Sequence, residues 1–520
     1  MLSMGLTSCI GDLDVTPIDP STVMEVDPVG LFNKCYANMA VAGQGGANGD
    51  CDIDGLDGGT TGFVRQLFNA NELPTDEAIC CWGDEGIPAF NYNQYDASHP
   101  MTRGFYYRLC AGITYCNHYL DLDVAGNYDK TMTAEVRFLR ALYYYHLMDC
   151  FGNVPFLTEL SADNAPQASR KDVYNFIESE LLAVREDMLE PAARKSGDET
   201  YGRADRNAAD LLLARLYLNA EVYTGQAQWE NAKKYAKLVM DGPHKLNTQG
   251  MNGYSAYQML FMGDNGETSA ATEAVLPLLQ DGTTTTSWGT TLFLLASTTK
   301  ADMGVFGTSE YWAGNRCRPE FVEKFLGEGN AAAAEGLETK EILAAAGDDR
   351  ALLFGKDRTA SVENPGEFTS GISCAKYSNN YASGGTPHNS KYVDTDFFLM
   401  RSAEAYLIFA EADARLSGGQ TSAEGTKAVD AIRQRANTST LSTYSLSFIL
   451  DELSREFFFE GHRRTDLVRF GQFGGERATY KWQWKGGAKN GVRFDSHLNV
   501  FAIPSDDLES NPNLTQNAGY

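Results

Sequence analysis

Apolar residues recur three or four positions apart along several stretches of the chain, the spacing of one face of an α-helix. Over Thr133–Phe151, Val136, Leu139, Tyr143, Leu147 and Cys150 fall on one such face, and Gly152 and Pro155 end it. Leu399, Ala403, Tyr406, Leu407, Ala410 and Ala414 repeat the pattern over Phe397–Ser417, and Gly418-Gly419 stop it. The same spacing predicts helices over Arg103–Leu120, Arg170–Leu189, Arg206–Tyr223, Trp229–Met240, Gly425–Ala436 and Ser447–Phe459. Arg206–Met240 reads as two helices joined at Thr224-Gly225 within about 35 residues, the period of a tetratricopeptide helix pair. Residues 43–101 and 242–394 interrupt this periodicity with Gly, Asp, Asn, Thr and Ser, as in Gly282-Thr283-Thr284-Thr285-Thr286-Ser287-Trp288. They read as long ordered loops with short strands, because their scattered aromatics argue against disorder. The predicted fold is therefore mainly α. A tetratricopeptide-like helical-pair scaffold, mainly in 103–241 and 397–470, carries long loop and short-strand insertions over 43–101 and 242–394.

Composition narrows the function. The 520 residues are 43% apolar and 22% charged, close to globular averages, which excludes a disordered or collagen-like chain. There is no run of about 18 apolar residues that could span a membrane. Lys and Arg number 43 against 69 Asp and Glu, a net charge of −26. Such a chain repels phosphate backbones, so nucleic acid is not an expected partner. The ten cysteines include no C-x-x-C pair, so a zinc ribbon or thioredoxin-type site is unsupported, and most read as small buried apolar residues. Cys9 stands apart. Leu6-Thr7-Ser8 before it resembles the lipobox of bacterial lipoproteins, where lipid on the cysteine anchors a chain that does not span the membrane. Eight residues precede Cys9, fewer than a secretory signal uses. Residues 1–27 are thus expected to be a signal remnant, lipobox and tether.

Catalytic signatures do not emerge. G-x-S-x-G, H-E-x-x-H and G-x-x-x-x-G-K-[ST] are all missing, and the seven histidines are scattered without metal spacing. Acidic pairs such as Asp84-Glu85 and Asp348-Asp349 arise by chance among 69 acids. The chain is expected to be no enzyme and to need no cofactor, with a structural calcium ion left open. What remains is aromatics in loops. Sugars offer flat C–H faces and rims of hydroxyls, which aromatic platforms and Asp, Asn or Arg side chains recognise. Trp288 and Trp312 fit that role, or pack as ordinary core aromatics.

Longer stretches now carry a resemblance. Glu135-Val136-Arg137-Phe138-Leu139-Arg140-Ala141-Leu142-Tyr143-Tyr144 is followed by Phe151-Gly152-Asn153-Val154-Pro155-Phe156. Arg401-Ser402-Ala403-Glu404-Ala405-Tyr406-Leu407 and Arg455-Glu456-Phe457-Phe458-Phe459-Glu460-Gly461-His462-Arg463-Arg464 come later, as does Asn511-Pro512-Asn513-Leu514-Thr515-Gln516-Asn517-Ala518-Gly519-Tyr520. Together they resemble the SusD family (SusD/RagB type) of Bacteroidota outer-membrane glycan-binding lipoproteins. Asn71-Glu72-Leu73-Pro74-Thr75-Asp76-Glu77 and Trp484-Lys485-Gly486-Gly487-Ala488 are similar to the starch-binding branch.

The resemblance implies one SusD-like domain over 28–520, built on four tetratricopeptide-like helix pairs. It implies a lipid-anchored protein of the outer-membrane cell surface that binds α-1,4-glucan and partners a SusC-like TonB-dependent barrel. It also implies an arc of three aromatics. Trp312 falls on one arc position and Trp288 on a position held by Tyr in the starch-binding branch. Cys80 falls on the third, while Trp82 matches a different Trp two positions on. Arg65 and Asp57 match polar sugar contacts, and an Asn contact falls near Asp84. The arginines and glutamates of the family stretches, Arg137, Arg140, Glu404, Arg455, Glu456, Glu460, Arg463 and Arg464, read as structural ion pairs. An exposed platform would hold up no core, so Trp312→Ala is expected to weaken binding without lowering the melting temperature. Three rival readings stand beside this one: the same scaffold bound to a different glycan, a helical-repeat lid or adaptor without a sugar site, and a glycoside hydrolase.

Overall fold

The computed structural model describes residues 26–520. Cys9 and most of the expected tether lie outside them. Asp27 caps the first helix, Pro28–Ala40, with its carboxylate accepting from the Val29 and Gly30 amides, two of the donors a helix start leaves unpaired. The scaffold follows as long helices: Pro100–Leu122, Lys130–Phe151, Arg170–Val184, Arg206–Leu218 and Trp229–Asp241, then Ser402–Leu416, Ala423–Arg435, Leu446–Phe457 and Arg463–Arg469. They pack as neighbours along the chain, with Arg206–Leu218 against Trp229–Asp241 and Ser402–Leu416 against Ala423–Arg435. Ser402–Leu416 also packs on Trp229–Asp241, joining the two helical blocks.

Three sequence expectations need correction. Phe397–Arg401 is a strand and not the start of a helix; it pairs antiparallel with Ala274–Leu278, and all five residues are buried. Period 3.6 continued into it because four of the five buried strand positions are apolar, so Leu399 falls at helical spacing from Ala403 by default. Second, Asn219 divides the predicted Arg206–Tyr223 helix into Arg206–Leu218 and Ala220–Thr224. Third, the two insertion regions contain helices. Phe63–Asn71 lies within 43–101, and Thr291–Thr298, Pro319–Leu326 and Thr339–Ala346 lie within 242–394. Every residue of Thr291–Thr298 is buried and it shows no polar face that would reveal a period. Phe63–Asn71, in contrast, is amphipathic, with Arg65, Gln66 and Asn69 opposite Phe63, Leu67 and Phe68, over too short a stretch to stand out from its Gly- and Asp-rich surroundings.

The insertions also supply a four-stranded antiparallel sheet in the spatial order Ala78–Cys80, Asn315–Cys317, Ile372–Cys374, Leu353–Phe354. One continuous apolar core runs from Phe32 through both helical blocks to Leu514. Buried ion pairs lace it, as the charged family stretches suggested. Glu456 meets Arg401 at 2.6 Å, Arg350 at 3.3 Å and also Arg435. Glu460 meets Arg401 and Lys376, each at 2.7 Å, and Glu404 meets Arg215 at 2.6 Å. Arg463 pairs with Asp76 at 2.7 Å, Arg464 with Asp149 at 2.5 Å, and Arg137 and Arg140 share Glu180. Six of the nine described cysteines are buried and none is in a disulfide. Among the described residues no helix is long and apolar enough to cross a membrane.

Candidate functional site

The sheet register brings distant residues together. Cys80 pairs with Asn315, and the ladder continues one step further as the Cys81 amide donates to Gly314 O at 3.0 Å. Trp82 and Trp312 therefore leave the paired strands side by side. The Trp82 indole N–H donates to Trp312 O at 3.3 Å. Gly314 is required here: a Cβ on it would fall within 2.4 Å of the Trp82 ring. The Trp312 loop is pinned in turn to the end of the Thr291–Thr298 helix. The amides of Trp312 and Gly314 donate to Ala296 O and Ser297 O, each at 2.7 Å, satisfying carbonyls that a helix end leaves unpaired. Just before that helix, Trp288 donates from its indole N–H to Ala47 O at 2.9 Å.

The result is a row of three half-buried indoles. Trp82 and Trp312 have ring centroids 6.5 Å apart with planes at 50°, and Trp312 and Trp288 are 6.0 Å apart at 42°. With Gly59, Thr60, Arg65 and Asp84 they line a cavity of about 400 Å³. Successive planes inclined to one another suit a curved chain of flat-faced rings. All three indoles also pack against the main core. This corrects the expectation that Trp312 is a platform free of the core.

Arg65 projects from the buried Phe63–Asn71 helix, whose start is held by the Arg65 amide donating to Gly289 O at 2.9 Å. Its guanidinium lies 4.8 Å from the Phe293 ring centre and 5.7 Å from that of Trp82. One N–H donates to Gly59 O at 3.1 Å, while the buried Nε has no partner among the described residues. Burial lowers its pKa, and the carboxylates of Asp84 and Asp57 offset this only in part. Asp84 is an exposed residue on the rim. Asp57 lies on the far flank of Trp288, where one carboxylate oxygen accepts from the Thr60 amide at 2.8 Å and from its hydroxyl at 2.9 Å. Cys80 is buried in the strand, and burial pushes its thiol up to about 12, so it neither stacks nor reacts. Trp82 occupies the third place in the row instead.

Three contributors carry no signal in the sequence pattern. Lys391 places its ammonium 4.5 Å from the Trp288 ring centre, and Tyr392 meets the same ring edge-on at 5.2 Å. Glu310 accepts from the Trp312 indole N–H at 2.8 Å. Lys391 is a hundred residues from Trp288, and only the tertiary fold makes them neighbours. Asp281, His388 and Asp394 gather ligand atoms within 4.8 Å of one another and could hold a metal ion. Asp281 Oδ1 accepts from Thr283, and the Asp394 oxygens accept from Gly282 and Tyr381, while Asp281 Oδ2 faces His388 Nδ1 at 3.3 Å. The imidazole in the set also departs from the all-oxygen ligands calcium prefers.

The chain is 40% identical to the "Starch-binding protein SusD" of Bacteroides thetaiotaomicron, over all of this chain and 97% of that one. The chain belongs to the SusD family. The SusD family model matches residues 319–520, and a model described as "Starch-binding associating with outer membrane" matches 82–218. A more distant SusD-family relative, SusD-like protein P2 of Formosa agariphila, is 25% identical over 75% of this chain and 74% of its own length. The SusD fold is equally plain among solved structures. A laminarin-binding SusD-like protein superposes with a TM-score of 0.66 at 23% identity, covering 95% of this chain and 99% of that one. Surface glycan-binding protein A of Bacteroides uniformis superposes with a TM-score of 0.68 at 21% identity, covering 94% and 99%.

Proposed function

We propose that this protein captures starch-like α-1,4-glucan chains at the cell surface and delivers them to a SusC-like TonB-dependent outer-membrane barrel. Lipid on Cys9 would tether it to the outer membrane. It acts by binding and not by turnover. The observation that carries the reading is the row of three inclined indoles, which share one cavity with Arg65 and Asp84. Each indole offers a face to a sugar ring, and Arg65 and Asp84 offer a donor and an acceptor to its hydroxyls. An α-1,4-glucan is naturally curved, so a rigid inclined row orders it at little entropic cost. The 40% identity to a starch-binding relative supports glucan over other glycans.

Native electrophoresis through gels containing amylopectin, laminarin or no polysaccharide tests the proposal. Retardation by amylopectin alone is the expected result. Retardation by laminarin alone would transfer the site to a different glycan, and equal mobility in all three gels would leave the lid or adaptor reading. Incubation with maltoheptaose should release no reducing ends above background.

A further inference from the structure

The indole row does not close at Trp288. Trp288 and Gly59 also border a second cavity of about 500 Å³, within the range of about 300–1,000 Å³ common for small-molecule sites. Its other walls come from the 42–59 loop, including Ala47, Asp50, Asp54 and Asp57. This loop is built and not merely draped. The Ala47 amide donates to the Thr286 hydroxyl at 3.1 Å, and Ala47 O accepts the Trp288 indole N–H. Beneath it the buried Arg108 donates to Ala42 O at 3.2 Å and to Cys51 Sγ at 3.1 Å. Gly45 and Gly49 cross so tightly that a Cβ on either would lie within 2.6 Å of the other's Cα. The cavity is thus tied to the residue that ends the indole row.

We infer that this cavity is a further subsite, taking the neutral sugar units of a glucan chain that continues past Trp288. The inference rests on the glucan reading above. Asp50 and Asp54 keep exposed carboxylates, whereas Asp52 between them is paired with Lys34 and the Gln44 amide. Carboxylates accept hydroxyl hydrogens well. Among the described residues no Lys, Arg or His lines the cavity, so an anionic sugar would meet only negative charge there. The binding site is therefore longer than the three indoles, and longer oligosaccharides gain contacts that short ones lack.

Calorimetric titration with maltotriose and with maltoheptaose, on the unaltered chain and on Asp50→Ala/Asp54→Ala, tests the inference. Maltotriose affinity should be the same in both proteins, and maltoheptaose affinity should fall about fivefold in the variant. No change with maltoheptaose, or an equal loss with both sugars, would overturn the subsite. A cation is the competing occupant. Calcium titrating into the unaltered chain but not the variant, with the maltoheptaose advantage lost after chelation, would make the cavity a metal site and overturn the inference. If neither sugar binds the unaltered chain, the glucan reading falls first and the subsite with it.

Discussion

Arg401 and Arg65 are both buried and both lie over aromatic rings, yet their surroundings differ. Arg401 meets Glu273 at 2.8 Å, Glu456 at 2.6 Å and Glu460 at 2.7 Å. Arg65 meets the Gly59 carbonyl through Nη1 and forms no carboxylate pair among the described residues, and its guanidinium borders the cavity. Around Arg401, buried charge is cancelled inside the protein, so it sets geometry and has nothing left to offer a ligand. Beside the indole row it is left partly open, which costs stability and leaves hydrogen-bonding capacity for a ligand. The contrast sets a framework arginine beside one that borders the candidate site.

Removing a scaffold carboxylate should break the comparison most severely. Glu456→Ala would leave Arg350, Arg401 and Arg435 sharing too few carboxylates, and breaking a buried pair costs about 3–5 kcal/mol. Urea unfolding should show that loss, while amylopectin retardation of the fraction still folded stays intact. A loss below about 1 kcal/mol would mean the network is not the framework described here.

Acid should act on the same region. Burial would raise the pKa of Glu452, but Arg350, Arg455 and Arg433 outweigh it and hold the group at about 2. Its folded pKa lies below the ordinary value of 4.5. The stability it contributes is therefore complete above about pH 5 and is lost as pH falls towards 2, on the order of 3 kcal/mol from this group. A melting temperature that stays flat from pH 5 to pH 2.5 would contradict that assignment.

On the binding side, Trp312→Ala removes the central indole. Amylopectin affinity should fall by about 1 kcal/mol or more, roughly fivefold, by calorimetry. The melting temperature should fall as well, because this ring packs on the core. Unchanged affinity would remove the indole row from the site. The smallest effect is expected at Lys391→Ala. Its ammonium over Trp288 contributes about 0.5–1 kcal/mol at most to the platform. Affinity should shift by no more than a few-fold, with the melting temperature unmoved. A larger loss would make Lys391 a direct sugar contact.

The helices of the scaffold were legible because each repeats an apolar face within its own segment, as Val136, Leu139, Tyr143 and Leu147 do. Thr291–Thr298 was not, since it has no polar face to reveal a period, and Phe63–Asn71, amphipathic but short, was lost within a Gly- and Asp-rich stretch. The candidate residues came from motif resemblance, and five of the six proposed sugar contacts line one cavity; Asp57 lines its neighbour. The role of Trp82 could not be read that way. Its alignment tied it to a different position, whereas the Cys80–Asn315 pairing carries it beside Trp312.

The sequence by itself determined the local matters: which scaffold segments coil and where Gly and Pro stop them. It also marked the buried arginines and glutamates as structural, though not their partners. Only the tertiary structure decided that Arg463 meets Asp76, that Arg215 meets Glu404, and that residues 82, 288 and 312 form one row. These contacts join residues up to 387 positions apart. Helix periodicity is set by hydrogen bonds four residues long and is written locally. A binding surface made where three loops meet depends on strand register and core packing, which no single segment encodes.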